Sequence, residues 1–143
     1  MTCCFFGHRD TPSQIESDLR KLLVYLIKEK GMDCFLVGNN GNFDRLASAV
    51  LADLQIQFSK IKCFVVLSKL PTQEKERYPL DTLYPDGLEN TPPRFVIDKR
   101  NRWMLAQSDA VVGYISYSVG GAAHFFNLAK KRGKECYNLF EQL

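Results

Sequence analysis

The chain has 143 residues, which is the size of one domain with a single continuous core. Its 45% hydrophobic and 24% charged residues exclude a disordered chain, a coiled coil and a collagen-like repeat. The formal net charge of +3 suits a small anionic ligand, but it is too small and too scattered along the chain to predict a nucleic-acid groove. We therefore expect one domain over residues 1–143.

The five cysteines predict free thiols in a reducing cytoplasm. Their number is odd and no two have the C-x-x-C spacing, which argues against a disulfide framework and against a structural zinc site. Each lies near the start of an apolar run, where a free thiol behaves as a small core residue. No apolar stretch approaches the roughly 20 residues of a membrane span, and no basic leader precedes the first strand. We expect a cytoplasmic protein without metal, cofactor or membrane contact.

Strand and helix patterns alternate along the chain. Strands that are apolar throughout, with helices between them, indicate a parallel sheet that is covered on both faces. The predicted fold is α/β, a Rossmann-like, doubly wound, mostly parallel five-stranded sheet flanked by helices. Its strands lie at residues 3–6, 34–37, 61–67, 110–115 and 135–139, with helices at 12–31, around 46–54, at 98–107 and at 120–133.

Residues 68–94 interrupt this alternation. Five of the six prolines lie here, and no hydrophobic period is sustained. We predict one long loop, which is typical of a lid or a binding loop because both of its flanks belong to the same core. Tyr78 and Tyr84 are its candidates for stacking on a base.

The loops after the first, second and fourth strands are rich in glycine and small polar residues. In doubly wound sheets, ligands bind beyond the carboxyl ends of the strands, where helix N-termini present unpaired N–H groups to anions. A glycine pair at a helix start lets the backbone approach a phosphate, and an arginine there pairs with phosphate or carboxylate. The candidate ligand-binding residues are Gly7, His8, Arg9, Gly38, Asn39, Asn40, Gly41, Asp44, Arg100, Ser116, Ser118, Gly120, Gly121 and Ala122.

Several of these residues also have a purely structural explanation. The turn from Gly38 to Gly41 has the pattern of a helix N-cap, and Arg9 has a salt-bridge partner beside it in Asp10. Asp44 in the first helical turn favours the helix dipole, or it holds a ribose or an amine. Arg100 belongs to a basic cluster that is either a solvated helix face or part of the site.

Three short motifs together resemble the SLOG superfamily. They are Gly7-His8-Arg9 after the first strand, the glycine-rich turn that runs into Asp44, and the series Arg100, Met104 and Ser108-Asp109-Ala110 that leads through an apolar strand to Gly120-Gly121. This Rossmann-like group contains the Lonely Guy phosphoribohydrolases and the DprA-like proteins. Small bacterial or phage members with a Gly-His-Arg opening are the most similar, and the resemblance extends over nearly the whole chain.

The resemblance implies a nucleotide-type ligand whose phosphate lies over Gly120-Gly121. Arg100 matches the arginine that Lonely Guy enzymes use in catalysis, so it is the catalytic candidate if the protein is an enzyme. Asn127, however, stands where those enzymes have their catalytic glutamate. An amide can neither activate water nor stabilise an oxocarbenium ion, so the resemblance favours binding over hydrolysis.

The implied function is to bind an ADP-ribose-like or cyclic nucleotide signal and to sense or sequester it, as in bacterial and phage immune conflict. One alternative is a nucleotide N-glycosidase of the Lonely Guy type, with Asp44 or Glu89 as a displaced carboxylate. A second alternative is a non-catalytic module that binds a protein partner. Homo-oligomers are common in the superfamily, and the helix with Trp103 and Met104 is the candidate interface, although core packing explains both side chains as well.

Overall fold

The chain folds around one six-stranded parallel sheet, in a computed structural model that describes residues 1–70 and 78–142. The strands are β1 (Thr2–Gly7), β2 (Cys34–Val37), β3 (Lys62–Val66), β4 (Asp81–Leu83), β5 (Ala110–Tyr114) and β6 (Glu135–Asn138), and the helices are α1 (Glu16–Lys30), α2 (Asn42–Gln57), α3 (Val96–Gln107), α4 (Gly121–Lys131) and α5 (Leu139–Gln142). The order β4-β3-β2-β1-β5-β6 reverses its direction between β1 and β5. This is a doubly wound fold with its switch point between those two strands, so the predicted fold class is confirmed.

The sheet separates two hydrophobic cores. Successive strand residues point to opposite faces, so Cys3 and Phe5 of β1 pack on the side of α1 and α2. Cys4 and Phe6 pack on the opposite side, against α3 and α4. Because both faces are covered, the strands are apolar at every position rather than at alternate ones.

Helix α1 shows how the sequence determines a helix and its end. Leu19, Leu23 and Leu26 recur at helical spacing and are fully buried against the sheet. The helix ends at the predicted cap, Gly31, whose left-handed φ of 71° suits glycine. Among the helices that the structure describes, none combines the length and the apolar character that a membrane crossing requires.

The prediction of an unstructured loop over residues 68–94 is wrong in part. Its β4 segment pairs in parallel with β3 and adds a sixth strand at the sheet edge. Sequence periodicity misses β4 because it has three residues, of which Asp81 and Thr82 are exposed, so no apolar run marks it. Two 3₁₀ turns follow, at Leu88–Asn90 and Pro93–Phe95. Residues 71–77 of the predicted lid lie outside the described residues.

The cysteines are all free thiols. Cys3, Cys4 and Cys63 are buried, and burial raises the pKa of Cys4 and of Cys63 to about 12 because a thiolate is poorly solvated there. Cys34 and Cys136 are partly buried. The three buried thiols are therefore core residues without nucleophilic character at neutral pH.

Gly7→Ala is expected to lower the free energy of unfolding by about 3 kcal/mol, because overpacking strains a dense core. A Cβ at position 7 would collide with the ring of the fully buried Phe43. Urea denaturation measures the loss, with Gly121→Ala as the matched control, since nothing lies within 4 Å of a Cβ there. Equal stability of the two variants would contradict the close packing of β1 against α2.

Candidate ligand-binding site

A cleft of about 370 Å³ opens at the carboxyl edge of the sheet, beside the switch point between β1 and β5. Most of the residues predicted from the sequence line it, namely Gly7, His8, Arg9, Gly38, Asn40, Asp44, Arg100, Gly120, Gly121 and Ala122. The remaining lining residues were not predicted and are Phe5, Phe6, Ile97, Asn101, Tyr117 and Val119. The predicted residues Asn39, Gly41, Ser116 and Ser118 do not line the cleft.

Arg100 is the most unusual side chain of the cleft because it is a guanidinium with only 2% of its surface exposed. Helix α3 places it under the ends of β2 and β3. Its Nη1 donates to Asn39 Oδ1 (2.9 Å) and to the Val66 carbonyl (3.1 Å), and its Nη2 donates to Asn40 Oδ1 (2.7 Å). Its Nε donates to Asn101 Oδ1 (2.9 Å). Asn39 therefore positions Arg100 from behind the cleft wall.

The charge of Arg100 has no ionic partner among the described residues, since each of its hydrogen bonds ends on a neutral oxygen. Burial lowers the pKa of Arg100, and the nearby carboxyl of Asp44 opposes that effect. An arginine nevertheless stays protonated in proteins. The cleft thus contains a fixed, desolvated positive charge.

Asp44 is the carboxyl group of the cleft and is 8% exposed. Its Oδ2 accepts the backbone N–H of Asn40 at 2.9 Å. Burial raises the pKa of Asp44 to about 6, against the opposing effects of the Asn40 N–H and the Arg100 guanidinium. A Cβ at position 38 would lie 2.9 Å from Asp44 Oδ2 and 3.2 Å from Arg100 Cζ, so Gly38 lets both charged groups approach the same point.

Two of the helices that begin at this edge, α2 and α4, each start with a glycine in a backbone conformation that other residues rarely adopt. Gly41, with φ of 98°, caps α2, and Gly120, with φ of 97°, caps α4; neither helix has a side-chain cap. The N-terminus of α2 is occupied, because the Asn42 N–H donates to the Arg9 carbonyl (2.9 Å) and a Cβ at Gly41 would lie 2.6 Å from Arg9 Cα. Nothing lies within 4 Å of a Cβ at Gly120 or Gly121. Of these two helix starts, that of α4 is the open one.

A stacked pair, His8 and Tyr117, forms the side of the cleft between β1 and β5. Their ring centroids are 3.6 Å apart with planes at 5°, and His8 Nε2 accepts the Tyr117 N–H at 3.4 Å. Burial lowers the pKa of His8, so the ring accepts this bond as a neutral imidazole. The Tyr117 hydroxyl donates to Asp10 Oδ1 (3.1 Å), and 44% of Tyr117 remains exposed.

Comparison of the chain with protein-family models gives no match, and comparison with curated protein sequences gives none either. Among solved structures, the X-ray structure of DNA processing protein A (DprA) from Streptococcus pneumoniae matches with a TM-score of 0.70 and 16% sequence identity. The match covers 94% of this chain and 48% of that chain. This chain has a DprA-like fold.

Because this chain spans about half of the length of DprA, the likeness concerns the α/β sandwich. At 16% identity it establishes the architecture, and function has to be argued from the side chains of the cleft. In this DprA-like sandwich the cleft lies where doubly wound sheets bind ligands, at the carboxyl edge beside the switch point.

The structure of this DprA-like sandwich does not place the two tyrosines predicted to stack on a base at the cleft. Tyr78 and Tyr84 pack toward the core on the α1 and α2 side and do not line the cleft. The Tyr78 hydroxyl accepts a hydrogen bond from Asn39 Nδ2 (3.2 Å), which supports the Arg100 contact from outside. Tyr117 is the tyrosine of the cleft wall, and its place in the loop between Ser116 and Ser118 was the available sequence signal.

The basic cluster on α3 separates into different roles. Arg100 alone points into the sandwich, whereas Arg102 pairs with Asp98 at 2.7 Å on the surface and Lys99 donates to the Gly87 carbonyl. Met104 is fully buried, so it is a core residue and does not contribute to an interface. A cluster that looks uniform in sequence therefore supplies one residue to the cleft.

Proposed function

We propose that the cleft is a SLOG-type site that binds a nucleotide-derived small molecule through an anionic group, in order to sense or sequester it. The observation that carries this proposal is Arg100, a buried guanidinium that lines the cleft and has only neutral hydrogen-bond partners among the described residues. An unpaired buried charge costs on the order of several kcal/mol. A phosphate or diphosphate in the cleft would offset that cost by pairing with the guanidinium.

The open start of α4 supports the same ligand chemistry. The first N–H groups of a helix have no partner inside the helix, and the helix dipole adds positive potential there. Gly121 and Ala122 bring these groups to the cleft wall without a bulky side chain. Arg9 lines the cleft as well and is exposed, so it is available to a bound anion.

The rim of the cleft suits a planar base. Ile97, Tyr117 and Val119 line the cleft and are each more than a third exposed, with values of 39%, 44% and 68%. Exposed apolar side chains beside a polar site are typical of ligand-binding clefts, and the volume of about 370 Å³ lies in the range of small-molecule sites. A nucleotide presents both the anion and the flat apolar surface that this arrangement accommodates.

A second candidate is hydrolysis of an N-glycosidic bond, and Asp44 is the observation that favours it. Asn127 is exposed on α4 and does not line the cleft. The amide at this position therefore does not argue against a catalytic carboxylate elsewhere in the cleft. Asp44 is the carboxyl group that lines the cleft within the described residues, and its pKa of about 6 lies near the range of a general base. Product analysis separates the two functions: recovery of intact nucleotide supports binding, and release of free base with ribose phosphate supports hydrolysis.

A charge inserted at the start of α4 tests the binding proposal. The purified chain is titrated with ADP-ribose and AMP by calorimetry, beside the variants Gly121→Asp and Ser59→Asp. Space is open around Gly121, and an aspartate there both repels an anion and occupies the free N–H groups. Ser59 is exposed at the opposite edge of the sheet, so it controls for the change in net charge.

We expect Gly121→Asp to weaken nucleotide binding at least tenfold and Ser59→Asp to leave it unchanged. Binding that is equally strong in both variants would place the nucleotide elsewhere. A chain that binds no nucleotide at all would contradict the proposal and would favour the protein-interaction alternative.

A further inference from the structure

Asp44 has a hydrogen-bonding capacity that the fold does not use. Within residues 1–70 and 78–142, its Oδ2 accepts the Asn40 N–H, and no hydrogen bond reaches Oδ1. In the same part of the chain, every fully buried side-chain nitrogen or oxygen has a partner. Oδ1 is therefore an atom that solvent reaches, on a side chain that is more than nine-tenths buried and lines the cleft.

The chemistry of a carboxylate restricts what this oxygen binds. An ionised carboxylate only accepts hydrogen bonds, and it repels a phosphate. The ligand must therefore present hydroxyl or amine donors to Asp44 and direct its anionic group away from this carboxylate, toward Arg100 and the start of α4. Adjacent hydroxyls on a sugar fit this demand best, because two neighbouring O–H groups reach one carboxylate and carry no charge to be desolvated.

The topology supplies the matching separation between the two parts of the ligand. Asp44 belongs to the first turn of α2, which follows β2, whereas the open anion-binding N–H groups belong to α4, which follows β5. Strand β1 lies between β2 and β5, and α2 and α4 pack on opposite faces of the sheet, so the two helix starts face the cleft from different sides and are at least two strand spacings apart, roughly 10 Å. A ribose with its 5′-phosphate or diphosphate bridges such a distance with the sugar hydroxyls at the far end.

We propose that Asp44 is a specificity-determining residue that binds the free 2′,3′-diol of a ribose, on the basis of the nucleotide binding proposed above. The site then selects ADP-ribose-like ligands with both hydroxyls free. It rejects 2′-deoxynucleotides, which lack one donor, and 3′,5′-cyclic nucleotides, in which the 3′-oxygen is esterified and its negative charge faces Asp44. The diol, rather than the base, is the part of the ligand that Asp44 recognises.

The experiment measures a ratio of affinities. Calorimetric titrations of the wild-type chain, Asp44→Asn and Asp53→Asn use AMP, 2′-deoxy-AMP and 3′,5′-cyclic AMP as probes. Asp53 lies on the same helix, is exposed and pairs with Arg20, so its replacement removes the same charge away from the cleft. Asparagine at position 44 keeps the shape and an acceptor for the Asn40 N–H but loses the negative charge.

We expect the wild type and Asp53→Asn to bind AMP at least tenfold more tightly than either analogue, since a hydrogen bond to a charged group has this effect. In Asp44→Asn the preference should fall to about threefold or less. Equal wild-type affinities for AMP and 2′-deoxy-AMP would overturn the diol inference and leave nucleotide binding intact, as would an Asp44→Asn variant that weakens both ligands by the same factor. Absence of binding to all three probes would overturn both proposals.

Discussion

At pH 7.5, Asp44→Asn is expected to raise the free energy of unfolding by up to about 3 kcal/mol. Burial raises the pKa of Asp44 from 3.8 to about 6, even though the Asn40 N–H and the Arg100 guanidinium both favour the carboxylate. The native state must therefore hold an ionised group that the unfolded chain solvates better. An amide of the same shape carries no such cost.

The pH dependence of this effect has a definite sign. The unfolded chain loses the Asp44 proton as the pH rises through about 4, whereas the folded chain keeps it until about 6. The stability from this group is fully present below about pH 4 and is lost between about pH 4 and 6. Wild type and Asp44→Asn should therefore be about equally stable in the most acidic buffers and should separate as the pH rises.

Urea denaturation across this pH range measures the separation, with Asp53→Asn as the control for loss of an exposed carboxylate. A stability difference that is the same at every pH would contradict a titration of Asp44. A difference that grows with pH in Asp53→Asn as strongly as in Asp44→Asn would assign the effect to net charge.

The buried charged groups of the cleft thus carry a desolvation cost that lowers the free energy of unfolding. Arg100 and Asp44 are both buried and both charged, and neither forms a direct ion pair among the described residues. Replacing both groups together by well-packed apolar residues of similar volume would be expected to stabilise the fold, unlike truncation of one of them, and this is a common relation between stability and a functional site. The polar turn with Asn39 and Asn40 holds the guanidinium in place through amide oxygens and leaves its charge available.

Most of the fold was predictable because buried parallel strands are short continuous apolar runs. The predicted strand at residues 34–37 coincides with β2, and the other four predicted strands agree with the structure within a residue or two. Strand β4 was not predictable in this way, since its pairing with β3 depends on backbone hydrogen bonds and its side chains are mostly exposed. The hydrophobic pattern of a sequence reflects which side chains are buried, and an exposed edge strand buries few of them.

The position of the cleft was predictable from the sequence, whereas its electrostatics were less so. Parallel topology brings the loops after β1, β2 and β5 to one edge, so glycine-rich turns in those loops identify the cleft. Nothing in the sequence around Arg100 shows that it is buried while Arg102 is exposed, because its burial depends on the distant Asn39, Asn40 and Val66. Tertiary contacts of this kind decide which member of a charged cluster belongs to a site.

Arg100→Ala is expected to lower the free energy of unfolding by about 3 kcal/mol and to weaken ADP-ribose binding at least 100-fold. The change leaves the oxygens of Asn39, Asn40 and Val66 without their donor and removes the guanidinium that favours the Asp44 carboxylate. Arg100→Lys keeps the charge without the planar fork, so its affinity should lie between those of wild type and Arg100→Ala. Wild-type affinity in Arg100→Ala would exclude this residue from the site.

A double-mutant cycle between Arg100→Ala and Asp44→Asn isolates the electrostatic part of that loss. At pH 7.5, Arg100→Ala should cost about 1 kcal/mol less in the Asp44→Asn background, because no carboxylate is left without its cation. Near pH 4 the coupling should vanish, since Asp44 is protonated in the folded chain with or without Arg100. A coupling energy that is the same at both pH values would mean that the two side chains interact through packing alone. A guanidinium without an electrostatic effect on the carboxyl group of the same cleft would not be expected to attract an anionic ligand there.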